Sequence, residues 1–212
     1  MFNSLKFKVI LFGFIFTFFS SFGQSYFLGL FNSSIREALS ITHGQFGTIY
    51  ASATLCSSLL LIWVGKKIDD VNIFKFAFFV TILLSFACFF FSRITSVFLL
   101  FIAIFLMRFS GQGMMSHTAS TTISRYFTRT RGRALSISWF GLSSAEFIMP
   151  VLMVYLLTII DWQNLWLIFS ITVLIVLPIV SFLLIKNLNL DSREANDEDK
   201  KEVEIKQWKR RE

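Results

Sequence analysis

The stretch VFLLFIAIFLMRFSGQGMMSHTASTTI, residues 97–123, carries one formal charge, Arg108, and is otherwise apolar or uncharged. It exceeds the roughly 20 residues that a helix needs to cross a bilayer. Arg108 stands 15 residues from Arg93 and 17 from Arg125, so at ~1.5 Å of rise per residue it lies more than ~20 Å from either charged landmark. A charge at that depth costs on the order of 2.5 to 3.5 kcal/mol on insertion scales. Arg108 must therefore face protein or water and have a partner.

Five comparable runs surround this one, at about 9–31, 45–64, 73–91, 134–157 and 165–185. The chain is 55% hydrophobic and 16% charged with mean hydropathy +0.67, which excludes an ordinary soluble domain. The expected fold is an all-α membrane protein of six transmembrane helices over residues 1–186, followed by a charged tail over 187–212. The first run follows Lys6 and Lys8 as a signal peptide would, but five further spans follow it and it lacks a convincing cleavage site.

Lys6, Lys8, Lys66, Lys67, Lys75, Arg125, Arg129, Arg131, Arg133 and Lys186 fall on one side of this topology, and Arg36 and Arg93 on the other. The basic side is expected to be cytoplasmic, with both termini there and the protein in a bacterial plasma (inner) membrane. The net charge of +7 therefore reads as a topology signal. There is no basic face interleaved with aromatics, so no nucleic-acid partner is expected. Cys56 and Cys88 lie within apolar runs without metal-ligand spacing, and neither a disulfide, a metal site nor a cofactor is expected. The tail from Asp191 to Glu212 is almost entirely polar and reads as a solvated linker, with Trp208 among basic residues as a possible contact to an anionic leaflet.

A second deep charge, Glu146, is 13 residues from Arg133 and 15 from Asp161. Helical rise counted from Arg125 and Arg133 places Arg108 and Glu146 within about 6 Å in height on consecutive helices, so a pair between them is expected. Two readings stand: a salt bridge that holds two helices together, or an arginine that grips an anionic substrate beside a carboxylate that carries a proton. Pro150 crowds the carbonyl of Glu146 and supplies no amide hydrogen, so a bend in the fifth helix is expected there; Pro178 is expected to kink the sixth. Arg108, Gln112 and Ser116 form a polar stripe flanked by Gly111 and Gly113, which suit close helix packing. Gly23, Gln24, Ser25 and Tyr26 interrupt the first span, and Gln24 needs a partner or water. His117 reads as a hydrogen-bonded interior histidine, and His43 lies near a span end.

Several stretches resemble the major facilitator superfamily. Gly65-Lys66-Lys67-Ile68-Asp69-Asp70 stands where that family carries its Gly-x-x-x-Asp-Arg loop motif, with Asp70 in place of the arginine. Arg108-Phe109-Ser110-Gly111-Gln112-Gly113 is similar to its fourth-helix motif, and Arg131-Gly132-Arg133-Ala134 to the usual start of its fifth helix. The stretch from Gly141 to Pro150 occupies the place of the family's antiporter motif, from which Ala145 and Glu146 depart. The resemblance implies the N-terminal half of a 12-helix transporter, built as a 3+3 inverted repeat, with substrate at the midplane between halves. It implies that the first and fourth helices line a small-molecule substrate, which brings Arg108, Gln112, Gln24 and Tyr26 to it, and that Gly65, Asp69, Arg131 and Arg133 form a cytoplasmic gate; Glu146, from its depth alone, is the expected proton-coupling residue.

The final residues, Gln207 to Glu212, read as a connector into a seventh helix. A truncated gene or partial record is expected ahead of a half transporter that assembles with a second copy. A membrane enzyme would need a Ser/His, paired-Asp or metal constellation at depth, and the chain offers there only His117 and no deep aspartate. A scaffold or assembly subunit gives no reason to bury Arg108 and Glu146. Arg108 favours an anion such as a small carboxylate, unless Glu146 neutralises it. Cytoplasmic-active and external-active reporters fused after Lys186 should both place that terminus in the cytoplasm; an external signal would refute the six-span count.

Overall fold

The computed structural model describes residues 4–186, the side chains of Ser4 and Asp69 excepted. The expected tail over 187–212, Trp208 included, lies outside the described residues. Six helices are long and apolar enough to cross a membrane: Leu5–Gly29, His43–Ile68, Ile73–Ser92, Val97–Tyr126, Arg131–Leu156 and Trp162–Ile185. They are numbered here as spans one to six. Span five starts at Arg131 and span six at Trp162, each three residues before the apolar run does. The reason is that backbone hydrogen bonding carries a helix into the headgroup region after the hydrophobic signal ends.

Polar residues mark these ends. Thr42 and Gln45 form a reciprocal capping box at the start of span two, with Gln45 N donating to Thr42 Oγ1 at 3.2 Å and Thr42 N to Gln45 Oε1 at 2.8 Å. Asn72 Oδ1 accepts from the amides of Phe74 and Lys75 at the start of span three, and Ser96 Oγ from Leu99 at the start of span four. A short helix, Asn32–Leu39, joins spans one and two.

Two spans are irregular at mid-depth. Span one is a helix over Ser4–Ser20, a 3-10 turn over Ser21–Gly23, an extended Gln24 and a short helix over Ser25–Gly29. Span four passes from α-helix over Val97–Met107 through a π-helical segment, Arg108–Met115, back to α-helix over Ser116–Tyr126. Span five, by contrast, runs as one uninterrupted helix through Pro150, and span six through Pro178.

Span three packs on span six, span one on span five, and span two on span four. Exchanging spans one to three for spans four to six maps each of these contacts onto another in the set. That is the contact pattern of a 3+3 inverted repeat. Spans one and four also pack together, and this pairing and that of spans three and six each map onto themselves and carry close contacts. Ser85 Oγ of span three donates to Ser170 O at 2.9 Å, and Ser170 Oγ of span six donates back to Ser85 O at 2.8 Å. Gly23 of span one lies against Gly111 of span four, so closely that a Cβ on Gly111 would stand 2.7 Å from Gly23 N.

An aromatic cluster closes one end of the interior, with fully buried Trp166 against Phe27, Phe31, Phe91 and Phe169. Large apolar side chains such as Phe98, Phe147 and Val151 remain exposed on the outside, as suits a surface in contact with lipid. The Gly23–Gly111 crossing leaves no room for a methyl group, and overpacking of this kind costs about 1–3 kcal/mol. Gly23→Ala should therefore lower the melting temperature in detergent well below that of Gly29→Ala, whose added Cβ meets nothing within 4 Å. Equal melting of the two variants would mean that the crossing is looser than described.

Candidate functional site

The break in span one and the π segment of span four meet, and Arg108 joins them. Because Gln24 is extended (φ −80°, ψ 153°), the Gly23 carbonyl is left outside the helical ladder and turns toward span four. Arg108 Nη1 donates to that carbonyl at 3.0 Å and to Ser25 Oγ at 3.3 Å. Ser25 Oγ also accepts from Tyr50 Oη of span two at 2.9 Å, and the Arg108 guanidinium lies 5.5 Å from the centre of the Tyr50 ring. A backbone carbonyl, a hydroxyl and a π face thus surround the charge.

The expected pair between Arg108 and Glu146 does not form, and neither residue joins an ion pair among the described residues. Consecutive helices in the sequence are not neighbours at this depth. Span one lies along span five, while span four approaches span five through its Ser116–Tyr126 segment. Glu146 is exposed on span five, within electrostatic reach of Tyr26. The expected bend at Pro150 leaves no break in the helix.

A cavity of about 140 Å³ opens between spans two and four, lined by Ser57, Ser58, Leu61, Arg108, Gln112 and Gly113. Arg108 and Gln112 thus share a wall, as the stripe in span four implies. Ser116, expected one turn further along the stripe, is buried with its hydroxyl unpartnered and is not part of this lining. Gln24 sits half-buried at the break itself, and Tyr26 is half-buried with its hydroxyl unpartnered beside Ser21. Neither lines the cavity. The four residues expected to meet substrate therefore divide into a pair in the cavity and a pair at the break.

At the basic end of the bundle, span two ends in a 3-10 turn over Gly65–Asp69. Two residues of span four hold that turn: His117 Nε2 donates to Gly65 O at 2.9 Å, and Arg125 Nη2 donates to Ile68 O at 2.8 Å. A carbonyl can only accept, so Nε2 carries the hydrogen. Arg131 and Arg133, expected as partners of the turn, are exposed at the start of span five; the Asp69 side chain lies outside the described residues. His117 was legible as a bonded interior histidine, but its partner could not be read from sequence spacing.

Six apolar spans in inverted-repeat packing, with a polar arginine-bearing cavity beside the π segment of span four, are the build of a membrane transport bundle. The profile of the Major Facilitator Superfamily matches residues 13–211. The chain belongs to that superfamily, whose members are transporters of small molecules in the lipid bilayer and not enzymes, and its spans form the N-terminal six-helix half of the fold. Neither a curated protein nor a solved structure matches the chain.

Removing the His117 donor breaks one of the bonds that tie the turn to span four, a change of about 1 kcal/mol. In a Cys56→Ser background, a cysteine placed at exposed position 66 should be alkylated about fivefold faster when His117→Ala is added. An unchanged rate would show that the bond does not restrain the turn.

Proposed function

We propose that this chain is the N-terminal half of a secondary active transporter that moves a small anionic solute, a carboxylate, by alternating access. Arg108 supplies the anion-binding charge and Gln112 a neighbouring polar group, with Gln24 and Tyr26 at the break in span one completing the path. The observation that carries this reading is that both bonds of the guanidinium to span one come from Nη1, with Tyr50 beside it, while Nε has no partner. An arginine whose role was to tie two helices together would be expected to use its donors for that purpose.

Glu146 is proposed to carry a coupled proton. Its support is an exposed carboxylate at mid-span, without an ion-pair partner, beside the unpartnered Tyr26 hydroxyl. The exposed carboxylate also supports a further partner. Only 11% of the apolar window of span two is buried, against 50% for spans three and four. Span two bears Thr48, Ser52 and Ser58 among its exposed residues, which suit a protein or water interface better than lipid. The proposed cover is a second six-helix half, supplied by further chain or a second copy. The proposed setting is a bacterial inner membrane with the basic end and both termini in the cytoplasm. The Gly65–Asp69 turn, with Arg131 and Arg133 close to its end of the bundle, is proposed as the gate on that side.

In an assembled transporter, Glu146→Gln should abolish proton-driven accumulation while preserving exchange, because it removes titration and keeps volume and hydrogen bonding. Arg108→Lys should impair substrate binding about tenfold or more, since an ammonium cannot reproduce the planar two-point grip. Accumulation that survives Glu146→Gln would refute the proton role, and unchanged binding in Arg108→Lys the anion role.

A further inference from the structure

The cavity has a chemical polarity that narrows its ligand. With Nη1 committed to Gly23 and Ser25, the guanidinium keeps its Nε/Nη2 edge, and Nε is buried without a partner. The two parallel N–H groups of that edge match the two oxygens of one carboxylate. The remaining polar lining is of the opposite kind. Ser57 Oγ and Ser58 Oγ both donate to Thr54 O at 2.9 Å, so each hydroxyl has spent its hydrogen and retains acceptor lone pairs. Gln112 Oε1 is a buried acceptor with no partner.

A ligand that fills these needs has an anionic end for Arg108 and a hydrogen-bond donor close to it. Arg108 is the one charged residue of the lining, so one negative charge is matched and a second is not. No carboxylate lines the cavity, and an ammonium donor would stand there without a counter-charge. We propose that the cavity binds a small 2-hydroxy monocarboxylate, with the carboxylate on the Nε/Nη2 edge of Arg108 and the hydroxyl donating to Gln112 Oε1 or to Ser57 and Ser58. This rests on the reading of Arg108 as the anion site and adds to it the identity of the neighbouring group.

The test is calorimetric titration of the purified full chain with racemic lactate, propionate, alanine and malonate. Lactate and propionate differ by the hydroxyl alone, and a site built to bond a hydroxyl discriminates strongly against the analogue that lacks it. Lactate should bind at least about tenfold more tightly than propionate, with alanine and malonate weaker than lactate. Gln112→Leu combined with Ser57→Ala and Ser58→Ala should bring the lactate-to-propionate ratio toward one. Equal affinity for lactate and propionate, with both lost in Arg108→Lys, would overturn the hydroxyl assignment and leave the anion site standing. Tighter binding of alanine or malonate than of lactate would overturn the single-charge argument. Lactate binding that survives Arg108→Lys, or no binding of any of the four, would overturn the anion site itself.

Discussion

A guanidinium at the middle of a membrane bundle has to be surrounded by acceptors, and the interior of this protein is arranged around that need. Arg108 obtains a carbonyl from Gly23 only because span one breaks there and Gln24 is extended. The break brings span one within reach only because Gly23 and Gly111 both lack a side chain at the crossing. The crossing falls within the π segment Arg108–Met115, where a widened turn changes which groups face inward. Remove the charge and neither the break nor the π segment has a reason to persist. An unbroken first span would satisfy its own backbone, and a regular fourth span would avoid the weaker geometry of a π turn.

Elsewhere in the bundle, small polar side chains tie regular helices to one another. Ser85 and Ser170 each donate to the other's backbone carbonyl, which binds spans three and six without leaving a donor exposed to hydrocarbon. Thr17 Oγ1 of span one donates to Ser138 O of span five at 2.6 Å. These contacts use small side chains that let backbones approach, and they give the outer spans a fixed register. Apart from the 3-10 turn that ends span two, the irregular backbone of the described spans lies in spans one and four, whose break and π segment meet at the Gly23–Gly111 crossing.

Much of the fold was legible in the sequence, because the bilayer converts composition into length: six apolar runs became six spans with boundaries shifted by about a turn or less. Arg108 and Gln112 sharing a wall was legible too, since residues four apart on one helix stay near one face. The partner of Arg108 was not. Counting rise along spans four and five compares heights and says nothing about azimuth, and it cannot reveal that span one lies along span five. The π segment was equally hidden, because Phe109, Ser110 and Gly111 are compatible with an ordinary helix. Pro150 suggested a bend, and span five continues through it without a break; the ring removes one hydrogen bond, and the packing of Ala145, Met149 and Met153 into the core keeps the segment helical. At the loop motif the pattern pointed to Asp69 and the arginines of span five. The Asp69 side chain lies outside the described residues, and two bonds that hold the turn come from His117 and Arg125, which the motif does not include.

Span four carries both of the places where the bundle is tied across. Above the π segment's lower end it bears Arg108 and Gln112, which face the cavity and the broken first span; below it come His117 and Arg125, which hold the turn at the end of span two. Both ties therefore involve span two as well, through Tyr50 at the arginine and through Gly65 and Ile68 at the turn. A ligand that engages the free edge of Arg108 competes with none of the bonds that anchor Nη1, so binding can take place without releasing span one. Any shift of span four relative to span two, however, strains both ties at once, since they sit on the same two helices. The π segment begins at the arginine tie and ends just before His117, and a π turn is a place where a helix can change register without breaking its ladder. The two ends of this pair of helices are thus mechanically joined through one irregular turn, and that turn is also where the charge of the candidate site resides.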